Sequence, residues 1–295
     1  MATKERPRSI SESQPELCRN ALEIQFFGLQ RSGNHAVLAW IFRQFDEPVL
    51  FFNNVKHFED PFLEFRYEKM PNAVTVRRPP VGDAPAQQAA RALAQRRLEE
   101  VRQSKKRLLA YSYENLRLSQ LKQRALVSER ETRIGRSEKI RRVLLLRDFY
   151  NWIASRIRLV ENKKLALPEE RGVDQLISLW IMYAREYLAK TNYLEYEQVV
   201  KISYNRWVED EGYRSHTLDE LAVPLKDNSI LHVPDVGTSS FDGAAFGNTA
   251  SETTGNPRQQ YLLDDRLAQI IRPIRRRIAE IEPYNLEIFG LSSPL

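Results

Sequence analysis

The sequence predicts an α/β fold, a mainly parallel sheet covered by helices on both faces, and three observations carry that prediction. Short runs rich in β-branched and aromatic residues alternate along the chain with longer stretches of helical periodicity. The strand candidates are apolar almost throughout, as strands buried on both faces are. A length of 295 residues with 42% hydrophobic content suffices for one large core.

In chain order, residues 1–20 are polar and are expected to form a flexible tail ahead of a single domain over 21–295. "LEIQFFGL" (22–29) is the first buried strand and ends at a glycine turn. "NHAVLAWIFRQF" then sets Val37, Leu38, Trp40, Ile41 and Phe45 at near-helical spacing, which makes Trp40 a core residue. "PVLFFNNVKHF" offers a second strand. Proline and turn residues crowd 71–88 and a strongly basic helical pattern fills 87–107, so 71–107 is expected to be an inserted lid or acceptor-site cover. Strand pattern returns in "LLAYSYENL" (108–116) and in "KIRRVLLLRD" (139–148). The latter feeds the helix "FYNWIASRIRLV", with Asp148 as its N-cap and Phe149, Trp152, Ile153 and Ile157 as its buried stripe. A helix over 173–191, a strand over 196–204, a loop over 234–259 and one final helix, "YLLDDRLAQIIRPIRRRIAEI", complete the pattern.

A formal net charge of +6 favours an anionic ligand or partner. Cys18 is the sole cysteine, which excludes an intrachain disulfide, a CxxC redox pair and a cysteine-rich zinc site, and suits a reducing, cytoplasmic compartment. The polar N-terminus, and the want of any apolar run near the roughly 18 residues a spanning helix needs, lead to the expectation of a soluble protein with no membrane span and no secretory signal.

Two short segments carry the chemistry. In "FFGLQRSGNHAVLAW" (26–40), Gly28 and Gly33 stand at the spacing of the nucleotide-binding pattern GxxxxGK(S/T), with Asn34 and His35 where the lysine and the hydroxyl residue would be. A strand ending in a glycine turn at a helix N-terminus presents backbone N–H groups to an anion, and Arg31 and Ser32 add donors there. In "VLLLRDFYNWIASRIR", Arg147 closes a strand and Ser155 lies roughly 10 Å up the following helix, within reach of a bent arginine side chain.

These segments resemble the two phosphate-binding segments of the sulfotransferases that use 3′-phosphoadenosine 5′-phosphosulfate (PAPS). "LQRSGNH" is similar to the family's 5′-phosphosulfate loop, PKSGTTW or PRSGTT. Arg147 and Ser155 have the spacing of its 3′-phosphate motif. The resemblance covers about 22–260 and implies a P-loop NTPase-like sulfotransferase fold, with Arg31, Ser32, Gly33, Asn34, His35, Ala36, Arg147 and Ser155 on the nucleotide. It also places Tyr204 near the adenine, with Asn205 departing from the usual acid, and implies nucleotide contacts from Ser239 and Phe241 in "TSSF" and from Arg258 in "GNPRQQY".

Sulfuryl transfer moves a singly charged group, so the resemblance implies no metal. Arg31 would stabilise the charge that develops on the departing 5′-phosphate. Two bases are open: Glu114, at the end of "RLLAYSYENL", and His57, in "NNVKHFED". His35 is expected to be a nucleotide-side donor or a helix-start packing residue, and His216 and His232 surface residues. The acceptor would be a small molecule or carbohydrate, with no nucleic acid. Competing classes are a P-loop nucleotide kinase, which Asn34 and His35 disfavour, and a non-enzymatic basic module binding nucleic acid or sulfated polymers through 87–107.

Overall fold

The computed structural model describes residues 18–47, 49–55, 66–70, 73–77, 106–123, 136–162, 168–194, 199–230 and 261–295, with isolated helical positions between 85 and 96. A seven-stranded sheet runs in the order β3-β4-β2-β5-β1-β6-β7. Its strands are β1 (Cys18–Gly28), β2 (Val49–Phe52), β3 (Arg66–Met70), β4 (Ala73–Arg77), β5 (Lys106–Glu114), β6 (Arg136–Leu146) and β7 (Val199–Ser203). Every pairing is parallel except the β3–β4 edge. The predicted fold class is therefore the observed one.

The alternation of side chains along each strand explains the two-sided core. Leu22, Ile24 and Phe26 of β1 face one side, against α1 (Asn34–Arg43), together with Tyr204 and Trp207 of α4 (Tyr204–Glu209) and Leu218 and Leu221 of α5 (Glu211–Leu221). Phe27 faces the other side, as do Leu109 and Tyr111 of β5 and Leu144 and Leu146 of β6. There they meet α2 (Phe149–Asn162), α3 (Glu170–Tyr187), α6 (Ala268–Arg276) and α7 (Ile278–Phe289). Fully buried tryptophans lock the helices to one another. Trp40 meets Trp207 edge-on at 5.8 Å, and Trp180 meets Phe149 at 5.3 Å.

This wiring has a functional consequence. β1 and β6 are parallel neighbours, yet the helix after β1 covers one face and the helix after β6 covers the other. Adjacent strands whose crossovers part in this way leave a crevice at their C-terminal ends, the usual place for a ligand in an open α/β sheet.

Several elements differ from expectation. β1 begins at Cys18, inside the predicted tail, because its first residues pair with β6 and Asn20 is buried with its amide donating to Arg136 O at 3.4 Å and Ser137 Oγ at 3.3 Å. Polar pairing of this kind leaves no hydrophobic signal. Residues 73–77, within the segment expected to form a lid, are a strand of the main sheet; the remainder of 71–105 lies outside the described residues apart from isolated helical positions. Two helices follow β7 where none was predicted, capped by Ser203 and by Asp210. The final helix is two, divided at Arg277, whose guanidinium donates to Asp174 O and Ser178 Oγ of α3, both at 3.0 Å.

Candidate functional site

The glycine loop is shaped by side chains that approach its backbone. Gly33 caps α1 at φ 96°, and a Cβ there would lie 2.0 Å from the Tyr204 ring. A Cβ on Gly28 would lie 2.1 Å from Asn34 Oδ1. Gly33 is thus required both by close packing and by its left-handed backbone, while the space beside Gly28 is taken by the Asn34 side chain. No side chain caps α1, so its positive end is available to an anion. Ala36, expected among the nucleotide ligands, gives its amide to Gly33 O at 3.0 Å.

Arg31 sits at the crest of the loop with φ 76°, a conformation that costs an L-residue about 1–2 kcal/mol. Its Nε donates to Ser155 Oγ at 3.4 Å across 124 residues of sequence. The two predicted phosphate-binding segments therefore meet side chain to side chain. Asn34, in the position of the motif's lysine, turns back and donates to Leu29 O at 3.2 Å and to Glu114 Oε1 at 3.1 Å. Parallel register puts Glu114 beside Gly28, which is how β5 delivers it to the loop.

The second segment is held by its neighbours. The Arg147 carbonyl accepts the Trp180 indole N–H at 3.0 Å, Asn285 Oδ1 accepts Phe149 N–H at 2.8 Å, and Asp148 Oδ1 accepts Asn151 N–H at 2.9 Å in the predicted N-cap role. Asn205 donates to Asp148 Oδ2 at 2.9 Å and accepts from Asp148 N–H at 3.3 Å. The guanidinium of Arg147, 4% exposed, lies 4.8 Å from the Tyr204 ring centroid, and its Nε and Nη2 have no hydrogen-bond partner among the described residues. Ser32 Oγ, also buried, has none there either. Buried donors on a charged group without acceptors are rare and costly, and an anionic ligand would satisfy them.

Electrostatics agree with this geometry. Burial and then the nearby Arg147 depress the Arg31 pKa, partly offset by Glu114 and Tyr204. Arg156, which sequence reasoning missed, is depressed first by burial, with Glu114 opposing that shift and Arg31 adding to it. Arg31 and Arg156 stay protonated despite these shifts, because a guanidinium is not deprotonated in proteins. Arg31 thus lies within reach of the like charge of Arg147 and acts in turn on Arg156, and Glu114 is a carboxylate acting on both Arg31 and Arg156. An excess of positive charge at the mouth of a sheet crevice is an arrangement for polyanions.

Of the other expected residues, His35 lies beside the loop with Nε2 at 3.3 Å from Asn53 Nδ2, and Asn53 Oδ1 accepts from Ser112 Oγ at 3.0 Å. His216 is exposed beside Glu220. His57, His232, Ser239, Phe241 and Arg258 lie outside the described residues. Arg156 carried a legible signal: it directly follows Ser155 and falls off the apolar stripe of α2. Gln30 and Asn285 had none. Among the described residues no cluster of His, Cys, Asp or Glu has the makings of a metal site, and no helix is long and apolar enough to cross a membrane.

Fold and site together define an α/β protein with three arginines, Arg31, Arg147 and Arg156, gathered at the C-terminal ends of its parallel strands. No protein-family model and no curated protein sequence matches the chain. Among solved structures, a sulfotransferase domain from the curacin biosynthetic pathway is similar at a TM-score of 0.40 and 17% identity, over 85% of this chain and 96% of that chain. A likeness at that level says nothing about ligand or activity.

Proposed function

We propose that this protein transfers a sulfuryl group from PAPS to a hydroxyl or amine of a small-molecule or carbohydrate acceptor. The observation that carries the reading is the contact between Arg31 and Ser155, which makes one site of the two segments that resemble phosphate-binding motifs. Further support comes from Arg147, whose unpartnered donors lie buried against Tyr204.

Ser32 Oγ, the backbone at Gly33 and Asn34 and the start of α1 would cradle the 5′-phosphosulfate, with His35 beside them. Arg147, Ser155 and Tyr204 would hold the 3′-phosphate and adenine, aided by Ser239, Phe241 and Arg258. The acceptor oxygen or nitrogen forms a bond to sulfur as the bond from sulfur to the bridging 5′-phosphate oxygen breaks. Arg31 meets the charge that appears on the phosphate. The acceptor proton goes to Glu114 or to His57; Glu114 has the described geometry, beside the loop in register with Gly28. No step calls for a metal. Asn34, tied to Leu29 and Glu114, is a poor substitute for the lysine a kinase loop directs at a triphosphate.

The test is incubation with sulfur-labelled PAPS and panels of hydroxyl and amine acceptors. Labelled product is expected, with Arg31→Ala lowering turnover by about 10²–10³-fold. A protein that binds neither PAPS nor adenosine 3′,5′-bisphosphate does not have this function.

A further inference from the structure

The residue before Arg31 is tied at each of its polar positions facing the protein. Gln30 N–H donates to Asn115 Oδ1 at 2.9 Å, and Gln30 O accepts the Trp152 indole N–H at 3.0 Å. Its side-chain Oε1 accepts from Arg156 Nη1. Asn115, itself left-handed at φ 56°, closes the ring by donating its N–H to Gly28 O at 3.1 Å. On the other side of Arg31, Ser32 N–H returns to Leu29 O at 3.0 Å. The strained φ of Arg31 is therefore fixed from both flanks.

We infer that Arg156 is a positioning residue for Arg31: it anchors Gln30, and through Gln30 it holds Arg31 in the left-handed conformation that carries its guanidinium to Ser155. Strain in an anion-binding loop persists only where the surroundings over-determine it, and three hydrogen bonds on one residue do so. This inference rests on Arg31 being the loop's anion ligand and is independent of the group transferred.

The test follows hydrogen exchange of the Arg31 Nε–H by NMR in ligand-free protein labelled with nitrogen-15 arginine, with Arg31→Lys assigning the signal. Gln30→Ala and Arg156→Met are each expected to accelerate that exchange about tenfold, as release of a strained residue allows. The double variant should add nothing further, since both act through one link. Exchange at the Trp180 indole should stay unchanged in all three, which separates positioning from general loosening; Arg156→Leu serves if Arg156→Met does not fold, and Arg156→Lys, which keeps a donor for Gln30, should restore slow exchange at least in part. Unchanged Arg31 exchange in the single variants overturns the inference. So does an effect of Arg156→Met without one of Gln30→Ala, or additive effects. Calorimetry with adenosine 3′,5′-bisphosphate runs in parallel: no binding by the wild type, with the exchange pattern intact, would remove the sulfuryl-transfer reading and leave the inference standing.

Discussion

Arg147 brings a positive charge against the face of Tyr204, and among the described residues its Nε and Nη2 find no acceptor. A cation–π contact contributes about 0.5–2 kcal/mol, less than desolvating a guanidinium costs. Arg147→Met is accordingly expected to raise ligand-free stability by about 1 kcal/mol while abolishing anion binding, read by denaturant unfolding and calorimetry on the same sample. Gly33 makes the opposite case. Alanine there would need both a left-handed backbone and space the Tyr204 ring fills, so Gly33→Ala should cost about 1–3 kcal/mol and weaken nucleotide binding by displacing Tyr204 from Arg147. Wild-type stability in that variant would mean that Tyr204 does not pack on the loop. Arg31, Ser32, Gly33, Arg147 and Ser155 could be singled out in the sequence because the motifs they resemble have particular residue types at fixed local spacing. The link between Arg156 and Gln30 was not, since it is a contact across 126 residues.

At the scale of elements, α1 is held at both ends by chain segments distant in sequence. Its first turn meets Glu114 through Asn34. Its last turn meets residues 226–229: Gln44 accepts from the amides of Lys226 and Asp227 at 2.8 and 3.0 Å, and Arg43 pairs with Asp227 at 3.3 Å. Hydrogen bonds from Ser229, then Arg43, hold the Asp227 carboxyl below its ordinary value of 3.8, against the effect of burial. A depressed folded-state pKa gives stability that is present above the ordinary value and is lost as pH falls through the lower one. Asp227→Asn should therefore flatten the fall in stability below about pH 4 and leave that slope unchanged at neutral pH, measured by thermal unfolding across the acid range. Asn205 acts similarly for α2. Its two bonds to Asp148 join the start of α4 to the start of α2, so Asn205→Ala should destabilise the fold by about 1–3 kcal/mol and lower nucleotide affinity through Arg147 without removing any ligand.

Over the whole molecule, a ligand that fills the crevice bridges β1, β6 and β7 and is linked to global stability by mass action. Adenosine 3′,5′-bisphosphate at 100 times its dissociation constant should stabilise the native state by about 2.7 kcal/mol, a rise in melting temperature that Arg31→Ala with Arg147→Ala abolishes. High salt should shrink that rise, because the attraction between the arginines and the anion is screened. A rise that survives the double substitution would place the ligand elsewhere.

The strands and helices that pack the core were written locally. Apolar runs such as "VLLL" (143–146) at the end of β6, and the helical stripe of α2, announce themselves because burial on two faces or along one stripe constrains every residue within them. The sequence also showed, by itself, the glycine-loop pattern over 26–40 and the arginine–serine spacing of Arg147 and Ser155, since both are local patterns of residue type. The tertiary structure alone decided that the two segments touch, that β1 starts among polar residues, that the last helix breaks at Arg277, and that Arg156 and Asn205 bond to the segments carrying the arginines of the site. These outcomes depend on strand order and on single hydrogen bonds between residues far apart in the chain, and neither leaves a periodic mark on the sequence. "FFGLQRSGNHAVLAW" states what the loop is made of; that Ser155, Tyr204 and Glu114 pack around it was decided by the tertiary structure.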